Sequence, residues 1–266
     1  MKLLSWKFWA TMAVAGCLAA CSSAPQKAGY SSADGAPKSV LWVGNSFFYY
    51  NNSMHGHVGN LLGAAKVTGV RQTSATISGS GINWHDVSAH FKPGGVGSYS
   101  FLPGNKVKFN TLDRPFDVVI MMDCSQCPIH PQLQSVFYEY AKKHSETVRH
   151  YGAEPVLFAS WAYQDAPEMT GQLLTEYVKA GKANNAQVMP AGLAFANSIK
   201  IKPELNLYAD DKRHPSLAGT YLAANVVLAA LFKQNPVGNA YTAGLPAETA
   251  KHLQQVAWDT VQSFKP

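Results

Sequence analysis

Residues 116–122 read FDVVIMM. From Val118 to Met122 every position is apolar, so no face of the segment is left for water. A strand with one wet face alternates apolar and polar residues. An unbroken apolar run suits a strand covered on both faces, as in a parallel sheet. The same pattern returns on either side. Residues 154–160 (EPVLFAS) read as a second buried strand and 39–43 (SVLWV) as another, while the more polar 70–77 (VRQTSATI) can be a fourth strand and 186–190 a short fifth.

Helical spacing fills the intervals. Residues 55–65 place Val58, Leu61, Leu62 and Ala65 on one face. Residues 132–151 form a helix opened by Pro131 and stopped by Gly152. Helices are also expected over 166–182, 191–199, the strongly apolar 216–233, and 247–264 behind Pro246. Residues 84–108 carry Gly94, Gly95, Gly97, Pro103 and Gly104 and read as a long loop or small hairpin. Strands alternating with helices predict an α/β fold. The expectation is one domain over 39–266, a three-layer α/β/α sandwich with a mostly parallel sheet. No internal repeat and no second domain is evident.

The first twenty residues stand apart. Lys2 and Lys7 bracket a positive start, and an apolar stretch over 8–20 is too short to span a bilayer comfortably. The layout is that of a secretory signal peptide over 1–20. Leu18-Ala19-Ala20-Cys21 resembles the lipobox of bacterial lipoproteins. That resemblance implies cleavage before Cys21, a diacylglycerol on its sulfur and an acyl chain such as palmitate on its amine. Together these would anchor the protein stably. Ser22 after the cysteine implies the outer membrane of the cell envelope, facing the periplasm or the surface. Residues 21–38, rich in Ser, Ala, Gly, Pro and Lys, read as a flexible tether. The formal net charge is +6, yet nothing gathers into a basic stripe, which argues against a nucleic-acid partner.

In open α/β sheets the ligand site lies beyond the carboxyl ends of the strands. The residues there are Gly44-Asn45-Ser46, Ser78-Gly79-Ser80-Gly81, Asp123 to Gln126, and Ser160-Trp161. Serine needs a base to take its proton and a third group to orient that base. Among nine histidines His214 has the most suggestive neighbours, Asp210-Asp211-Lys212-Arg213-His214-Pro215-Ser216. Asp211 lies three residues before it, close enough on one turn to reach Nδ1 and leave Nε2 free. Alone, Ser46 reads more readily as the cap of a turn or helix than as a nucleophile. Of the aromatics Phe47 to Tyr50, at least two are expected in the core, and others could form an acyl or sugar platform. Trp84, His85 and Trp161 follow strand ends and could line the same cleft.

Gly-Asn-Ser after the first strand, glycines after the second, and Asp-x-x-His-Pro-Ser before a late helix resemble the SGNH (GDSL-type) hydrolase superfamily. The usual first block is Gly-Asp-Ser; here it is Gly44-Asn45-Ser46. The resemblance implies a fold of that type, with Ser46 as nucleophile, His214 as base and Asp211 as its orienting acid. It implies oxyanion donors at the amides of Ser46 and of Gly79 or Gly81, with Gly81 preferred. The family's Gly-x-Asn-Asp block is absent, and Gln126 is the nearest carboxamide to replace its asparagine. Asn45 is expected to brace the turn rather than join the proton relay, and Gly44 to let the chain turn sharply.

Cys124 and Cys127 are spaced C-x-x-C. In a secreted chain a local disulfide is the first reading, with free thiols or a metal site recruiting His130 and His55 or His57 behind it. Hence the sequence predicts a lipid-anchored serine esterase needing no metal or organic cofactor, acting on a small-molecule or glycan-linked acyl ester. The alternatives are a non-catalytic glycan- or lipid-binding lipoprotein on the same scaffold, or a thiol redox or metal protein.

Overall fold

The computed structural model describes residues 29–96, 99–110, 112 and 114–266. The expected signal peptide and Cys21 lie outside these residues. In chain order, β1 (Ser39–Gly44) leads into α1 (Ser46–Tyr49), and α2 (Met54–Ala64) returns to β2 (Arg71–Thr76). Two 3₁₀ turns, Ile82–Trp84 and Val87–Phe91, precede a hairpin of β3 (Tyr99–Leu102) and β4 (Lys106–Phe109). There follow β5 (Val118–Met121), α3 (Gln134–His150), β6 (Glu154–Phe158), α4 (Met169–Ala183), β7 (Gln187–Met189), α5 (Ala191–Ile201), α6 (Leu217–Phe232) and α7 (Ala247–Ser263).

Five strands form one parallel sheet in the order β2-β1-β5-β6-β7. Helices cover both faces, giving the expected three-layer sandwich. Side chains alternate across the sheet by the period of two. Val40 and Trp42 face the layer of α2, α5, α6 and α7, while Leu41 and Val43 face α3 and α4. This is why β1, β5 and β6 carry unbroken apolar runs, while the edge strand β2 (RQTSAT) is half-buried throughout and does not. Helix α6 is buried at every position from Ala218 to Phe232, because α2, α5 and α7 pack round it against the sheet. Among the described residues no helix is long and apolar enough to cross a membrane.

The departures from expectation are local. Only Val118–Met121 of FDVVIMM pairs on both sides as strand; Asp117 instead accepts the N–H groups of Lys38 (2.7 Å) and Ser39 (3.1 Å). Its other oxygen pairs with Arg114 at 2.8 Å. Part of the expected tether is fastened to the domain: Tyr30 N–H donates to the Gly152 carbonyl (2.8 Å) and Ser32 N–H to the Glu154 carboxylate (2.9 Å). Tyr30 also packs on the core, so apolar burial outweighs the flexible composition here. The short α1 has no counterpart in the sequence pattern, since four residues are too few to show a period.

Candidate active site

The sheet order reverses at β1, whose neighbours are β2 and β5, and the loops leaving these strands meet there. One side chain ties them together. Asn45 (5% exposed) donates through Nδ2 to the carbonyls of Ser80 (3.0 Å) and Asp123 (3.1 Å). Its Oδ1 accepts the Phe47 N–H at 3.1 Å, which makes Asn45, and not Ser46, the cap of α1. With every polar atom engaged it braces the turn, as expected. Gly44 serves packing rather than the turn: a Cβ there would come within 2.8 Å of the Phe48 ring. Phe48 and Phe47 are buried in the core, and Tyr49 and Tyr50 are half-buried.

The loop between α5 and α6 carries the histidine. It is closed by pairing of Tyr208 with Pro215, by Ala209 N–H to the His214 carbonyl (2.8 Å) and by Ser216 N–H to the Leu207 carbonyl (2.9 Å). Gly219 seats this loop on α6, for a Cβ there would meet the Leu207 carbonyl at 2.3 Å. Asp211 Oδ1 accepts the N–H groups of Arg213 and His214, each at 2.9 Å. Its Oδ2 meets His214 Nδ1. His214 Nε2 lies 2.8 Å from Ser46 Oγ, across 168 residues of sequence. Burial alone would raise the Asp211 carboxyl. The hydrogen bonds from the His214 ring and from the two backbone amides prevail and hold it at about 2.

The imidazole is clamped by groups that sequence reading did not assign. Tyr50 stacks flat on it, with ring centres 4.0 Å apart and planes 9° from parallel. Phe47 meets it edge-on at 5.4 Å. Asn51 donates to the Pro215 carbonyl (2.8 Å) and to Thr220 Oγ1 (2.9 Å). Trp161, a candidate for lining the cleft, is instead fully buried. It stacks on Phe47 (4.8 Å) and Phe195 (4.4 Å), and its indole N–H donates to the Arg213 carbonyl at 3.0 Å. A cleft of about 600 Å³ lined by Phe195, Leu205 and Tyr208 belongs to this neighbouring region; Ser46 and His214 do not line it.

Two backbone amides at the site, those of Ser46 and Gly81, have no acceptor among the described residues. Gly79 has φ +69 and makes the turn, whereas Gly81 has ordinary φ −84. The turn that follows is set by Asp123, 2% exposed, whose Oδ1 accepts the N–H groups of Ile82 and Cys124 at 2.7 Å each. Burial pushes this carboxyl up to about 6 against the pull of those two donors. His85 is buried and its Nε2 lies 3.0 Å from Ser80 Oγ; burial, then the charges of His90 and His144, lower it to about 4.

Cys124 and Cys127 are joined by a disulfide. Asp123 and these cysteines are the cluster of ligand-type atoms among the described residues, and with both sulfurs in a disulfide they are poor metal ligands. His57 is committed elsewhere, with Nε2 to the Asn51 carbonyl (2.6 Å) and Nδ1 to the Tyr241 hydroxyl (2.8 Å). Gln126 sits on the same loop, exposed and with no hydrogen bond from its side chain among the described residues. The structure thus brings Ser46, His214 and Asp211 into contact, ties the loop of Gly81 and the loop of Gln126 to the same turn through Asn45, and leaves Gln126 exposed.

No protein-family model matches the chain, and no curated protein matches it in sequence. Solved structures do match. A DUF4886 family protein from Bacteroides uniformis superposes with TM-score 0.61 at 17% identity, covering 85% of this chain and 95% of that one. A proposed SGNH hydrolase from Slackia heliotrinireducens gives 0.54 at 21%, covering 73% and 97%. The fold is that of the SGNH hydrolases. A catalytic mutant of the acetylxylan esterase Axe2 from Geobacillus stearothermophilus also matches, with TM-score 0.52 at 15% identity over 73% of this chain and 94% of that one. The SGNH scaffold places the loops after β1, β2 and β5 against the late loop before α6, where Ser46, Gly81, Asp123 and His214 meet.

Proposed function

We propose that the chain is a serine ester hydrolase of the bacterial cell envelope that works through an acyl-enzyme. The observation that carries the reading is the contact of Ser46 Oγ with His214 Nε2 at 2.8 Å, made by an imidazole whose Nδ1 faces Asp211. A carboxylate at Nδ1 selects the tautomer protonated there and leaves the Nε2 lone pair toward the serine. Ser46 Oγ attacks the ester carbonyl carbon while its proton passes to Nε2. The carbonyl oxygen becomes an oxyanion, for which the Ser46 and Gly81 amides are the free donors and the Gln126 carboxamide a third. The C–O bond to the alcohol breaks, and the alcohol leaves with the proton from Nε2. Water then gives a proton to Nε2, attacks the acyl carbon, and releases the acid as Ser46 recovers its proton.

The substrate class is an acyl ester, either an O-acetyl group on a glycan or a short-chain ester. Similarity in fold to an acetylxylan esterase supports the first. The sequence around Cys21 supports anchoring by lipid in the outer membrane, and Cys21→Ala should release the protein from membrane fractions. The test of the chemistry is hydrolysis of a short nitrophenyl ester and labelling by a fluorophosphonate, both abolished in Ser46→Ala. Turnover that survives Ser46→Ala would sink the mechanism. Ligand binding with neither turnover nor labelling would instead favour a non-catalytic binding protein.

A further inference from the structure

One large aromatic side chain near the site is left in water. Trp84 is 61% exposed, although a buried tryptophan is among the largest apolar contributions a fold can gain. It is not on a loose loop. Ile82, 1% exposed, anchors its turn, with its N–H held by Asp123 at 2.7 Å and its carbonyl by His144 Nε2 at 3.1 Å. Trp84 N–H donates to the Gly81 carbonyl at 3.1 Å, and the next residue, His85, is buried against Ser80. The exposed ring therefore stands on a rigid backbone, three residues from an amide free to receive an oxyanion.

Two exposed carboxamides stand on the loops at this end of the sheet. Asn83 is exposed, and its Oδ1 lies against Gly81, 2.7 Å from where a Cβ would stand. Gln126 is exposed on the facing loop that Asn45 and Asp123 tie to this one. Neither carboxamide has a partner among the described residues. A hydrocarbon tail lying here would bury both without hydrogen bonds, which is costly. A sugar ring has an apolar C–H face for the indole and hydroxyls for the two carboxamides. Rigid, exposed aromatics beside adaptable amides are what binding hot spots use.

We propose that Trp84 is the platform on which the sugar ring of a glycan-linked ester stacks while Ser46 attacks its acyl group, with Asn83 and the Gln126 carboxamide oxygen taking ring hydroxyls and the Gln126 NH₂ left for the oxyanion. The proposal rests on the hydrolase reading and narrows its substrate to carbohydrate esters. Its test compares O-acetylated xylo-oligosaccharides with ethyl acetate, which has no ring. Trp84→Ala lowers the preference for the sugar ester about tenfold, through KM rather than kcat, and Trp84→Phe restores part of it. Titration of the inactive Ser46→Ala chain with the same oligosaccharides, read by calorimetry, reports binding without turnover; adding Trp84→Ala weakens it about tenfold. An unchanged preference in Trp84→Ala, or a loss that falls equally on ethyl acetate, overturns the platform and leaves the hydrolase intact. Binding that depends on Trp84 in a chain that hydrolyses no ester keeps the platform and overturns the hydrolase. Absence of oligosaccharide binding by the Ser46→Ala chain also overturns the platform.

Discussion

Replacing Asp211 by Asn separates orientation of the base from mere packing of its loop. One Asp211 oxygen accepts the amides of Arg213 and His214 at 2.9 Å each, and the other faces His214 Nδ1. Asparagine has the same size and keeps one oxygen. The arrangement that loses fewest bonds leaves that oxygen with the two backbone donors and turns the NH₂ toward Nδ1. An NH₂ only donates, so Nδ1 must accept and the imidazole proton moves to Nε2. Nε2 then presents a hydrogen to Ser46, and the serine has lost its base while the loop keeps its shape. Tautomer reversal of this kind costs roughly 10⁴ in kcat, equivalent to about 5.5 kcal/mol of transition-state stabilisation.

The assay is the steady-state kcat on nitrophenyl acetate, with thermal melting run alongside to show that the fold is retained. Asp210→Asn is the control, because Asp210 is exposed and makes no side-chain hydrogen bond among the described residues. Asp211→Asn within about tenfold of the unaltered chain would refute the reasoning, since no reversed tautomer could turn over that well. An equal loss in Asp210→Asn would assign the orienting role to the wrong carboxylate.

Asn51→Ala removes the donors to Pro215 and Thr220 and should lower stability by about 1–3 kcal/mol in urea unfolding, with kcat falling more than KM rises. Asn51→Asp should not restore kcat, because a carboxylate cannot donate; full restoration would refute the clamp. The acid response should change with Asp123. Its carboxyl is raised to about 6, so the folded chain takes up a proton more readily than the unfolded one and gains stability as pH falls through that value. His85 is lowered to about 4, so protons favour the unfolded chain as pH drops below the ordinary imidazole range, and the two slopes oppose each other. Asp123→Asn should leave the histidine slope alone and make urea midpoints fall more steeply toward acid. A slope identical to that of the unaltered chain would refute this account.

The strands and the histidine loop were legible in the sequence for a common reason: their signals are local. Burial on both faces writes itself as an apolar run, and Asp211 reaches His214 within one turn. The groups that hold the histidine were not legible. Asn51 meets Pro215 across 164 residues and Trp161 meets Arg213 across 52, and no spacing rule joins such pairs. Tyr50 gave the right signal, one aromatic too many for the core, without saying what it faced. Ser46 is also of a type that caps helices, yet Asn45 caps α1, because the pattern shows residue preference and not which side chain is free to turn inward. Gly44 stands where the chain turns, yet what requires a glycine there is the Phe48 ring.

The segment between nucleophile and α2 explains how two parts so distant in sequence keep a 2.8 Å contact. Asn51, Asn52 and Ser53 all have left-handed φ, at 53°, 66° and 67°. Non-glycine residues there cost about 1–2 kcal/mol each, less for asparagine. A run of three persists only where surrounding bonds over-determine it. His57 holds the Asn51 carbonyl, Tyr241 holds His57, and the Asn51 side chain holds Pro215. These bonds tie α2, the segment before α7 and the histidine loop to one strained turn, with Tyr50 laid on the imidazole just before it. The burial of α6 against the sheet and α7 offsets the strain from a distance. The 2.8 Å contact of Ser46 with His214 is therefore held from the side of α2 and α6 as well as by the exposed Asp211 turn.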